Sequence, residues 1–163
     1  MEINNNDLVR EELSKLKENP RFFEMDKVLQ HGRTTVLEHS VKVAYLSLAI
    51  ARKYKLKVNY KSLIRGALLH DYFLYNRKDN THEGFHAFTH GKTAVNNAKK
   101  DYEINKIEED IILRHMFPLT ITPPKYKESW IVCLADTLSA TKEFALGGKE
   151  KIFTIFNRIK EVQ

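Results

Sequence analysis

The chain has 163 residues, 42% of them hydrophobic and 29% charged, with a formal net charge of +6. That length suits one domain with a hydrophobic core of its own, and no apolar run approaches the roughly 20 residues that cross a bilayer. Its single cysteine, Cys133, excludes an internal disulfide and fits a reducing compartment.

The first seven residues, Met1 to Asp7, are polar and lack the basic and apolar regions of a secretory signal, so a cytoplasmic location is expected. The positive charge favours anionic partners such as phosphate esters and nucleotides. Lysines and arginines recur along the whole chain, and no basic run resembles a nucleic-acid arm, which argues against nucleic acid.

With no repeat, low-complexity segment or linker, residues 1–163 read as a single all-α domain. It should be a bundle of about seven to eight helices joined by short polar loops. Asn6 or Asp7 can cap a first helix through about Lys17. Asn19-Pro20 opens a second, with proline in the first turn where its missing N–H does no harm. Thr35-Val36-Leu37-Glu38 matches a capping box for a helix that runs to about Tyr54. Asn59 can cap the next, which extends past His70-Asp71. Thr89 and Asn105 are candidate caps for two more. After the break at Thr122-Pro123-Pro124 a helix should run from about Lys127 to Phe144. Gly147-Gly148 should end it, and a last helix should cover about Lys149 to Glu161.

These helices give four polar residues an inward direction. His39 lies on the stripe of Val36, Val43, Leu46 and Ile50. His70 lies on that of Leu63, Ala67 and Leu74. His115 follows Ile104, Ile107 and Ile111, and Asp136 stands between Val132 and Ala140. Residues three or four apart share a helix face, so three histidines point inward from three helices. Buried carboxylates such as Asp71 and Asp136 need a partner, because burying bare charge costs many kcal/mol. A shared divalent cation would neutralise the carboxylates and satisfy the imidazoles together. Imidazole and carboxylate donors suit manganese, iron, cobalt, zinc or magnesium, at one or two ions per chain.

The order Glu38-His39-Ser40, Leu68-Leu69-His70-Asp71 and Leu134-Ala135-Asp136 resembles the HD superfamily of metal-dependent phosphohydrolases, across roughly residues 30 to 144. The resemblance implies an all-α domain with His39, His70, Asp71 and Asp136 around a first metal. Thr89-His90-Gly91-Lys92 and Leu113-Arg114-His115-Met116 are similar to the added ligands of binuclear members. By that likeness Asp71 bridges two metals, and His90 and His115 hold the second. His82 and His86 compete with His90 as donors. Many relatives carry a lysine three or four residues beyond the aspartate, whereas Tyr72-Phe73-Leu74-Tyr75-Asn76 follows here. The cation that meets phosphate must then come from elsewhere, with Lys92 first, then Arg33 and Arg114.

The implied chemistry is hydrolysis of a phosphate ester, a nucleotide among the options, by metal-activated water. In that scheme Asp71 orients the nucleophile, Lys92 or Arg33 stabilises the phosphate, and His86 protonates the leaving group. The segment from Tyr75 to Thr89 would wall the pocket. Two other readings stay open: a di-iron oxygenase of the same superfamily, and a non-catalytic, metal-stabilised nucleotide-binding module.

Overall fold

A computed structural model describes residues 5–31, 34–74 and 86–160, with side chains for 7–30, 34–74, 89–143 and 145. Among the described residues, six α-helices, one 3₁₀ helix and a small hairpin make up the regular structure. The helices are α1 (Asn5–Lys17), α2 (Val36–Lys53), α3 (Tyr60–Leu69), α4 (His86–Asp101), α5 (Lys106–Arg114) and α6 (Lys127–Lys160). The 3₁₀ helix spans Pro20–Lys27, and β1 (Leu29–His31) pairs antiparallel with β2 (Thr34–Thr35).

Local chemistry sets the helix starts. The Thr35 hydroxyl accepts the Glu38 amide (3.2 Å), and Glu38 Oε2 accepts the Thr35 amide (3.1 Å). Asn105 and Glu108 form the same reciprocal box at the start of α5. The Asn59 side chain accepts the Ser62 amide (3.0 Å) and caps α3. Each such cap is worth about 1 kcal/mol by satisfying amides that have no partner in the first turn.

The bundle assembles around α2 and α3, which pack on each other. Helix α6 closes over α2 and α5, α4 lies on α5, and α1 covers α3. Leu48, Leu63, Leu68, Tyr72, Ile111 and Ile112 are fully buried at its centre. Burying an aliphatic side chain of this size contributes roughly 1.5–3 kcal/mol, so the apolar stripes hold the helices in register. Gly66 lets α3 approach α5: a Cβ there would stand 3.0 Å from Ile111 Cβ and Cγ2. Gly66→Ala should therefore overpack the crossing, cost about 1–3 kcal/mol, and lower the melting temperature by several degrees in a calorimetric scan.

Four expected boundaries differ. Helix α1 starts at Asn5, which puts Asn6 and Asp7 inside it instead of at its cap. Helix α6 runs unbroken through Gly147-Gly148 to Lys160, so the seventh and eighth expected helices are one. Two interior glycines cost roughly 1 kcal/mol each against alanine, and helix formers on both sides (Ala145, Leu146, Lys149, Glu150) outweigh that. Helix α4 starts at His86, which puts Thr89 inside it instead of at its cap. Helix α3 stops at Leu69, and His70 and Asp71 occupy the turn beyond it. The Phe73 amide bonds the Asp71 carbonyl there (2.8 Å), and Leu74 turns to a positive φ of 57°. No helix of the described residues is long and apolar enough to cross a membrane.

Candidate metal centre

The fold brings all six candidate ligands together. His39 comes from α2, His70 and Asp71 from the end of α3, His90 from α4, His115 from the end of α5, and Asp136 from α6. All six are buried. His39 Nε2 stands 2.8 Å from Asp136 Oδ1, and His70 Nε2 is 3.7 Å from the same oxygen. Asp71 faces both sides of the cluster. Its Oδ2 is 3.4 Å from His70 Nε2, and its Oδ1 is 3.4 Å from both His90 Nε2 and His115 Nε2. The two latter nitrogens are 2.9 Å apart. His39, His70 and Asp136 form one group whose donor atoms lie within 4.8 Å of one another, and His70, Asp71 and His115 form a second.

Tautomers follow from the outward nitrogens. His70 Nδ1–H donates to the Ala67 carbonyl (2.7 Å), and His115 Nδ1–H to the Ile112 carbonyl (2.8 Å). A carbonyl oxygen can only accept, so Nδ1 carries the proton and Nε2 turns its lone pair to the centre. His39 Nδ1 bonds Glu143 Oε2 instead (3.0 Å), whose second oxygen accepts from Lys42 Nζ (3.0 Å). Gly91 keeps α4 against α5 beside His90: a Cβ there would meet the Leu113 and Ile112 carbonyl oxygens at 3.2 and 3.3 Å. Asn97 of α4 pins the turn after Asp71 by donating to the Tyr72 (3.1 Å) and Phe73 (3.0 Å) carbonyls.

Electrostatics link these groups. Burial would push His39 down, but the hydrogen bonds it donates to Asp136 and Glu143 outweigh it and raise its pKa to about 10. Burial likewise opposes the charge on Asp71, yet the surrounding imidazoles, His70 foremost, hold that carboxyl well below its usual range. Asp136 is lowered in the same way, with His39 the main partner that overcomes burial. His115 is raised, because the Asp71 carboxylate beside it prevails over burial.

One observation shows that these residues suit a cation. His70 Nε2 and Asp71 Oδ1 are buried and have no hydrogen-bond partner. Unmade bonds on buried groups cost about 1–3 kcal/mol each, more for charged ones. Both atoms face the cluster, and a divalent ion among imidazole and carboxylate donors would satisfy them.

The cations expected to meet substrate are placed differently. Arg114 Nε pairs with Asp110 Oδ1 (2.8 Å) and its Nη1 donates to the Pro123 carbonyl (2.7 Å). It braces the segment before α6 and does not turn to the centre. Lys92 is exposed and lies about 200° around α4 from His90. It lines a separate pocket of about 300 Å³ with Gly91, Arg114 and Thr122, which none of the six residues lines. Arg33, His82 and the side chain of His86 lie outside the described residues, as does the pocket wall from Tyr75 to Phe85. Sequence reasoning missed two residues of the site. Gln30 of β1 donates its amide to Asp71 Oδ2, and no local pattern signals that contact. Glu143 had a signal: it stands seven residues after Asp136, two turns on along the same face of α6.

The family model described as HD domain matches residues 36–141 of the chain. Searches of curated proteins and of solved structures returned no match.

Proposed function

Because the chain belongs to the HD domain family, we propose that it is a metal-dependent phosphohydrolase acting on a phosphate ester, with nucleotides the first class to try. The observation that carries this reading is the pair of buried atoms without a hydrogen bond, His70 Nε2 and Asp71 Oδ1, at the centre of six ligand-type side chains. In it His39, His70 and Asp136 hold a first ion, Asp71 serves both sides, and His90 and His115 complete a second position. A bound divalent ion lowers the pKa of its water from about 15.7 toward roughly 7 and draws charge from phosphoryl oxygens.

The residues themselves do the positioning. Four neutral imidazoles and two carboxylates contribute a charge of −2, which two divalent ions would convert to +2 and so attract a phosphate dianion. Burial of all six excludes bulk water and strengthens that field. Gln30 reaches Asp71 from the hairpin, and Arg33 follows it by three residues. These two, in place of Lys92 and Arg114, are the groups we assign to the phosphate. A metal-chelated sample tested on a panel of phosphomonoesters and nucleotides should release no phosphate, and added Mn(II) or Co(II) should restore turnover. Metal-saturated protein that hydrolyses nothing in the panel would overturn the reading.

A further inference from the structure

We infer that Glu143 is the outer carboxylate of the centre. It holds His39 in the tautomer whose Nε2 faces Asp136, and thereby sets how tightly the His39–His70–Asp136 group binds a cation. This rests on reading that group as a metal site, and assigns the site a positioning residue from outside the matched span of residues 36–141.

The imidazoles of His39, His70 and His115 are not backed alike. His70 and His115 sit at helix ends, where a carbonyl three residues earlier accepts their Nδ1–H. His39 is the fourth residue of an 18-residue helix. The carbonyls before it already accept the helix's own amides, and its acceptor comes from another element. Helix α6 supplies it. Asp136 and Glu143 lie two turns apart on one face, and the His39 ring spans the gap, with Nε2 2.8 Å from Asp136 and Nδ1 3.0 Å from Glu143. Lys42, one turn beyond His39, takes the other Glu143 oxygen and fixes the carboxylate's rotation. Glu143 is buried, whereas the Lys42 side chain is 53% exposed. A carboxylate behind a ligating imidazole fixes its orientation and raises its basicity as a donor, and losing such a partner commonly weakens metal binding about 10–100-fold.

The competing account is a plain staple, in which Lys42–Glu143 only ties α2 to α6. Titration of the metal-free full chain with Co(II) separates the two, read by visible d–d absorption well below every variant's melting temperature. Glu143→Gln keeps the shape and one acceptor, and should weaken Co(II) binding about tenfold; Glu143→Leu should weaken it about 100-fold and change the band shape. Binding at the His90–His115 position should keep its wild-type affinity. Lys42→Gln breaks the staple, leaves Glu143 on His39, and should stay within about fivefold of wild type, as for an exposed ion pair. Wild-type Co(II) affinity in Glu143→Gln, with only a lowered melting temperature, would overturn the inference and leave the proposed function standing. Wild-type protein that takes up no Co(II) would remove both. Should Glu143→Leu fail to fold, the near-isosteric Glu143→Gln decides alone.

Discussion

Protein carrying His70→Ala together with Asp71→Ala is expected to retain no metal and to release no phosphate from any ester that the wild type hydrolyses. Both residues lie between the two groups of donors, and Asp71 contacts His70, His90 and His115. Their loss leaves neither position with a full set. Metal assistance is worth several kcal/mol, and each 1.4 kcal/mol is about a factor of ten, so turnover should fall by roughly three orders of magnitude or more. The double variant is preferable to Asp71→Ala alone. Removing one partner strands the others, at about 3–5 kcal/mol for a broken buried pair. Removing acid and base together spares the fold much of that cost. Elemental analysis, phosphate release and a circular dichroism melt make the test. Full activity in a folded, metal-free double variant would end the reading of a metal-dependent hydrolase built on these residues.

The second expectation concerns acidity. Metal-free protein should lose stability as pH rises from about 6.5 toward 10. The sign follows from His39, whose folded pKa is raised to about 10. A raised folded pKa contributes stability that is complete below the unfolded value, near 6.5, and is lost on passing through the folded one. The span corresponds to an effect on the order of 5 kcal/mol, counted once for His39 and its carboxylates together. Asp71 and Asp136 act in the opposite sense. Their pKa values are depressed, so their contribution is present above about 3.9 and lost as pH falls below it. Denaturant melts of chelated protein at pH 6, 8 and 10 read the slope. A flat profile between pH 6 and 10 would show that His39 is not held charged between its two carboxylates.

Much of the cluster could be read from the chain because its members interrupt apolar stripes. His39 among Val36 and Val43, and His70 after Ala67, occupy positions where an unpartnered polar group would be costly, and helical spacing alone turns them inward. Three helix starts were legible for a related reason: Thr35, Asn59 and Asn105 act on amides two or three residues away. What failed depends on distant parts of the chain. Gln30 meets Asp71 across 41 residues, and Glu143 meets His39 across 104. Arg114 looked available beside His115 until the path of the segment through Pro123 claimed it. The glycine pair in α6 carries a stop signal that flanking residues override, since helix propensity is a sum over many positions.

His70 and His115 cap the ends of α3 and α5, and their rings stand 4.9 Å apart. Two helix C-termini therefore converge on one spot, each bringing about half a negative elementary charge from its aligned peptide dipoles. The main chain thus adds a field of roughly one electron to that of the two aspartates. Such a field repels anions and attracts positive ions before any side chain ionises. Exchanging an aspartate for asparagine would weaken this preference without inverting it, because backbone polarity is not open to substitution.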